Sequence, residues 1–224
     1  MDQKPVLNLY ASFAYTKAFW NASSEEQLNV KRTILTDSAR FGDATHLYSV
    51  YPTRTDIDFM LWTAKSIEEP GQSADFFIEY ARILEPVRKF IKPAETLWGF
   101  TKPSMYARGK SEQDIDPFIK ERNKFLVIYP FSKNKEWYLM SFDARQGMMN
   151  EHIKLGKQYF DIKQLLLYSF GLQDHEFVVS YEVDELPRFS QLVQELRSTE
   201  GRKYTLLDSP IITCTHMSEE QFLQ

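Results

Sequence analysis

One cysteine, Cys214, stands in a chain of 224 residues. A disulfide framework within the chain is therefore impossible, as are zinc sites built on two or four cysteines. Histidine is scarce too, and His46, His152, His175 and His216 share no short metal-ligand spacing. No run of about 18 apolar residues occurs, so no membrane span is expected. The opening MDQKPVLNLY lacks the basic start and apolar run of a secretory leader, which makes a cytoplasmic protein the expectation. A basic excess is also missing: 27 Lys and Arg against 31 Asp and Glu leave a net charge of −4. Nucleic acid is thus not an expected partner.

Aromatic residues are what the chain has in quantity, with 17 Phe and 12 Tyr. That surplus suits a thick core, a subunit interface or a pocket for a flat ligand. The length fits one large domain or two small ones. Strands are predicted at 6–15, 45–51, 57–63 and 95–103, with helices over 24–41 and 73–90. Ser24 and Gln27 are spaced for a capping box. Beyond a polar stretch at 104–123, strands are predicted at 124–131, 136–142, 162–170 and 175–182, and a last one within 203–216. A helix is expected from Asp143, with Gln146 completing its cap, and another over 185–198. Pro187 sits near that helix's start, where a missing N–H costs little.

LYSVYPTRTDIDFM at 47–60 has a weak echo in LYSFGLQDHEFVVS at 167–180. Strand–helix–strand–strand–helix–strand, written twice, is the ferredoxin-like order. The expected fold is α+β: tandem ferredoxin-like repeats forming a dimeric α+β barrel within one chain. Residues 1–103 form one half, 104–123 a linker or lid, and 124–224 the other half. Arg108 and Lys110 fall in the linker.

His152 occupies the sequence MMNEHIKLGKQY, where helical spacing puts Met148, Met149, Leu155, Gly156 and Tyr159 on its face. Such a histidine is either a metal ligand on an apolar helix face or a packed structural residue, and methionines at this spacing commonly belong to a core. Gly156 can admit a ring close to the helix or serve ordinary packing. Cys214 reads as a buried structural cysteine.

Four segments carry a resemblance: FLVIYPFSKNKEWYLM at 125–140, ARQGMMNEHIKLGKQY at 144–159, KQLLLYSFGLQDHEFVVSYE at 163–182 and RKYTLLDSPI at 202–211. They resemble the chlorite dismutase-like heme proteins, closest to the coproheme decarboxylase branch. The resemblance implies tandem barrels, homo-oligomers that are mostly pentamers, and a porphyrin in the second half. It puts the proximal ligand of the heme iron on His152. Gln164, seven residues before Gly171, stands where chlorite dismutases carry a distal arginine, as in the decarboxylase branch. A neutral amide holds an anionic oxyhalogen species less well than a guanidinium. Tyr129, in VIYPF, matches the branch's radical tyrosine. Lys133 matches a lysine four residues on, and Ser209 a serine that hydrogen-bonds a propionate. The branch's methionine after Tyr-Pro is Phe131 here. Its upstream propionate-binding arginine has no match at the right spacing, with Arg108 and Arg122 as candidates.

The implied reaction is peroxide-dependent oxidative decarboxylation of iron-coproporphyrin III to heme b, a step of heme biosynthesis. Porphyrin and hydrogen peroxide would be the partners. The alternatives are a heme b protein with weak peroxidase or chlorite activity, or a non-enzymatic heme carrier or sensor.

Overall fold

The first strand, VLNLYASFAY, is buried at every position except its two ends, so both of its faces are covered by protein. A computed structural model describes residues 4–107, 109 and 111–224. The elements run β1 (Val6–Tyr15), α1 (Lys17–Trp20), α2 (Ser24–Ser38), β2 (Ala44–Ser49), β3 (Phe59–Ser66), α3 (Gln72–Leu84) and β4 (Ile91–Thr101). Then come β5 (Phe125–Lys133), α4 (Lys135–Leu139), α5 (Phe142–Gly156), β6 (Lys163–Tyr168), β7 (Phe177–Val183), α6 (Leu186–Leu196), β8 (Thr205–Leu207), β9 (Ile212–His216) and α7 (Glu219–Leu223). Short 3-10 turns cover Glu85–Val87 and Glu200–Tyr204.

The described strands form one antiparallel sheet in the order β7-β6-β4-β1-β3-β2-β9-β5-β8, and β5 also pairs with β7. This corrects the expected fold class. Tandem ferredoxin-like repeats forming a dimeric barrel were expected; the finding is an α+β chain with a single nine-stranded sheet. Phe100 and Thr101 of β4 pair with β6, and Tyr48 and Ser49 of β2 pair with β9, so the expected boundary is crossed twice. The physical reason is the cost of strand edges: unpaired N–H and C=O groups on β4 and β2 find partners in the other half of the chain.

Three clusters cover the sheet. Leu7, Leu9, Ala11 and Phe13 pack under Val30 and Ile34 of α2, Phe76 and Tyr80 of α3, and Phe222 of α7. On the opposite face Tyr10, Tyr48, Met60 and Trp62 meet Leu126, Ile128, Val178, Ile212 and Cys214 from the second half. Val127, Val179, Tyr181 and Val183 pack under Phe189 and Leu192 of α6. Polar groups between the layers are paired: Trp62 Nε1 donates to Asn8 Oδ1 at 2.9 Å, and the Tyr10 and Ser180 hydroxyls lie 2.8 Å apart.

Local details differ from expectation at the caps. α2 is capped by Ser23, whose hydroxyl accepts from Glu26 N at 3.2 Å, while Gln27 Nε2 donates to the Phe19 and Ala22 carbonyls. α5 is capped by Ser141, and Gln146 donates to the Tyr106 carbonyl at 3.1 Å. The strand expected at 136–142 is replaced by α4, which Asn134 caps by accepting from Trp137 N at 3.1 Å. The Trp137 side chain is buried by that turn.

Candidate functional site

Sheet register decides which side chains share a face, because directly paired residues point the same way. Gln164 pairs with Tyr181, Leu166 with Val179, and Tyr168 with Phe177. Val127 pairs with Tyr181, Tyr129 with Val179, and Phe131 with Phe177. Gln164, Tyr129, Tyr181, Phe131, Phe177 and Tyr168 therefore line one face. Leu155 of α5 packs onto the cluster of that face, together with Tyr129, Phe131 and Leu166. α5 thus faces the strip that holds Tyr129 and Gln164.

α5 carries His152, and its cover is thin. None of its residues is fully buried, although Met148, Met149, Ile153 and Leu155 are partly withdrawn from solvent. Burial lowers the His152 pKa, the Lys133 charge lowers it further, and Glu151 opposes. The imidazole is therefore held neutral, and among the described residues neither ring nitrogen has a hydrogen-bond partner. A neutral imidazole on the helix that faces an aromatic strip is a donor set that fits an iron porphyrin. His152 would hold the iron, while Phe131, Phe177 and Tyr168 offer flat apolar surface; Phe131 and Phe177 stack at 4.7 Å.

Lys133 lies close enough to His152 for its charge to be felt. Its Nζ donates to the Gly201 carbonyl and to Thr205 Oγ1, each at 3.1 Å, and sits 4.6 Å from the Trp137 ring centre. Burial, then the Arg202 charge, push the amine down to about 8, with Glu176 opposing. One carboxylate oxygen of Glu176 accepts from the Lys133 backbone N–H at 2.8 Å and from the Tyr138 hydroxyl. Trp137 and Glu176 are thus parts of the site that sequence reading missed; Trp137 was present in the quoted YPFSKNKEWYLM.

Tyr129 borders a cleft of about 160 Å³ lined with Phe189, Ser190, Val193, Arg197 and Ile211. Its ring stacks on Tyr181 at 6.1 Å, and burial raises its pKa, so the phenol keeps its proton at neutral pH. Arg197 and Arg202 both pair with Asp208, at 2.9 and 3.0 Å. All three charges act on Tyr129. Ser209 follows Asp208 and is exposed. These two arginines place positive charge near Tyr129, where the sequence offered only Arg108 and Arg122 as candidates. Arg108 and Lys110 lie outside the described residues. Arg122 belongs elsewhere: it pairs with Glu182 at 3.1 Å, with side-chain exposures of 3% and 2%, and lies over Trp62. In β7, Glu182 alternates with Tyr181, so that pair occupies the opposite face of the sheet.

Residues 113–115 of the polar stretch dock onto the site. Gln164 N donates to the Gln113 carbonyl at 2.7 Å, and Ile115 N to the Gln164 carbonyl at 2.9 Å. The Gln164 side chain itself is exposed at that edge. Cys214 is fully buried, which pushes its thiol pKa up and keeps it a thiol.

The chlorite dismutase family model matches residues 24–217. A coproheme decarboxylase of Mycolicibacterium smegmatis is 32% identical over 184 residues, which cover 79% of this chain and 74% of that protein. A coproheme decarboxylase of Staphylococcus carnosus is 26% identical over 168 residues, covering 69% of this chain and 65% of its own length. The crystal structure of a mutant chlorite dismutase from Candidatus Nitrospira defluvii shares the fold, with a TM-score of 0.84 over 97% of this chain and 93% of that one at 17% identity.

Proposed function

Since the chain belongs to the chlorite dismutase family and is a heme-dependent oxidoreductase, we propose that it decarboxylates iron-coproporphyrin III to heme b with hydrogen peroxide. The observation that supports this reading best is the common face: Tyr129 and Gln164 share the sheet strip that α5, bearing His152, covers. The names of the two relatives add weight, since both are coproheme decarboxylases.

Bound iron with peroxide supplies the oxidising equivalents. His152 would hold the iron through a neutral ring nitrogen. Gln164 offers an amide at the distal edge, able to orient peroxide but without the charge that would hold an oxyhalogen anion. Tyr129 would give up an electron and a proton together, because burial disfavours the phenolate. Its oxygen would then take a hydrogen atom from a propionate chain, and the carbon radical left would pass one further electron to the peroxide-oxidised group and lose CO₂, so that one peroxide, reduced to two waters, serves each vinyl group formed. Ser209 would offer a hydroxyl to a carboxylate at the Tyr129 end, Arg197 and Arg202 would add positive charge there while paired with Asp208, and Lys133 would steady a propionate from beside Trp137. Assembly as a homo-oligomer, a pentamer by family analogy, is part of the same proposal.

The test is a side-by-side titration of the protein with iron-coproporphyrin III and heme b. Peroxide is then added in small steps and the porphyrin followed by mass. Tight coproheme binding with stepwise loss of two CO₂ units is expected. Heme b binding without coproheme conversion would leave a peroxidase or carrier instead.

A further inference from the structure

Arg145 sits two turns before His152 on α5, so the two side chains share one face of the helix, with Met148 and Met149 between them. Its guanidinium makes no ion pair and no hydrogen bond among the described residues, and its Nε is buried. A guanidinium nitrogen withdrawn from water without a partner is unfavourable, and the residue is otherwise only partly buried, so the rest of its charge is free to meet a ligand. The carboxylate of the facing wall, Glu176, is taken by the Lys133 backbone N–H and the Tyr138 hydroxyl. Arg145 lies beside that wall: the Tyr138 phenol is held up by burial and Glu176 and drawn down by the Arg145 charge.

The position is also informative. Tyr138 packs on Phe170, and Phe170 on Phe177 and Tyr168. That aromatic group lies past Phe131, at the end of the strip away from Tyr129, Arg197 and Arg202. Seven residues of helix separate Arg145 from His152 by about 10 Å along the axis. That is the scale of a porphyrin's centre-to-carboxylate reach.

Resting on the porphyrin reading above, we propose that Arg145 anchors a porphyrin carboxylate at the end of the site remote from Tyr129. It is a positioning residue: by fixing a carboxylate that is not reacting, it sets which propionate lies against Tyr129. A planar guanidinium suits a carboxylate held at a fixed angle better than a lysine point charge.

The test is equilibrium binding, which needs no turnover. Wild-type protein, Arg145→Met and Arg145→Lys are titrated with iron-coproporphyrin III and with its tetramethyl ester, followed by porphyrin absorbance. Arg145→Met is expected to weaken binding of the free acid by about tenfold or more while leaving the ester unchanged. Arg145→Lys should keep part of the preference. The acid-to-ester ratio is read within each variant, so a lower folded fraction does not imitate the result. An unchanged ratio in Arg145→Met, with wild type binding the acid tightly, overturns the role of Arg145 alone. Failure of wild type to bind either porphyrin overturns this role and the heme reading together.

Discussion

Tyr129 and His152 ask different things of one site, and two substitutions separate them. Tyr129→Phe keeps the ring against Tyr181 and deletes only the hydroxyl. Porphyrin binding should stay within about twofold, while decarboxylation falls by roughly a hundredfold or more, the size expected for losing a group that handles the proton. Full turnover in that variant, measured by porphyrin mass after peroxide, would remove the phenol from the chemistry. His152→Ala leaves Tyr129 in place and should abolish the normal ferric absorption spectrum of the loaded protein; an unaltered spectrum would mean that another group holds the iron. Both residues are candidates from the sequence because each lies in a short local pattern, VIYPF or MMNEH. Arg197 and Arg202 are not, although Arg202 opens the quoted RKYTLLDSPI. Their relevance depends on Asp208 drawing them together beside a strand far earlier in the chain, and no local spacing records that. The Arg122 candidate failed for the complementary reason: one step along β7 from Tyr181 to Glu182 moves a partner to the other side of the sheet.

At the scale of elements, residues 111–115 of the polar stretch are bound more tightly than their composition suggests. Gln113 Nε2 lies within 3.2, 2.9 and 3.1 Å of the Gly156, Tyr159 and Ile162 carbonyls. An amide nitrogen has two hydrogens, so three acceptors must share them. The Gly156 and Tyr159 carbonyls also accept from the Tyr159 and Ile162 N–H groups, so the Gln113 amide ties the described part of the stretch to the turn that follows α5. Gln113→Ala should therefore cost about 1–2 kcal/mol in chemical denaturation. Hydrogen exchange should rise first at the end of α5 and along 111–115, where the backbone bridge to Gln164 would loosen. Uniform exchange across the chain, or no loss of stability, would count against the tie. Long elements such as β1, α2 and α6 were readable because periodicity averages over many residues. α4 was not, because five residues turn helical on one Asn134 cap and the burial of Trp137, against a sequence rich in strand-forming aromatics.

The whole molecule adds a property that no single element holds: all four histidines are pushed the same way. Burial lowers the pKa of His46, His152, His175 and His216 in the folded chain. His46 moves most, from 6.5 to about 4, and its Nε2–H donates to the Pro117 carbonyl at 2.7 Å. A depressed folded pKa means that the unfolded chain binds protons first as the pH falls. Stability from these groups is complete above about pH 6.5 and is lost on acidification towards the folded values. Glu182 works against this, because burial raises its pKa despite the Arg122 charge. Its contribution is present below the unfolded carboxylate range and disappears as the pH rises through the raised value. Between pH 6.5 and 5 the histidines lower stability on acidification and Glu182 raises it, and the large His46 shift sets the size of the fall. For His46 alone, the shift corresponds to about 2 kcal/mol of stability lost by pH 5. The continuous sheet makes this a global effect, since His46 lies on β2, whose neighbours β3 and β9 come from the two halves of the chain. That long-range pairing was the feature least visible in the sequence, because strands distant along the chain leave no local mark of their partners. Urea unfolding of the ligand-free protein at pH 7, 6 and 5 should show falling stability. His46→Gln, which keeps a donor for the Pro117 carbonyl but cannot protonate, should flatten that slope by roughly the His46 share. An equally steep slope in His46→Gln would place the acid sensitivity in the other three histidines.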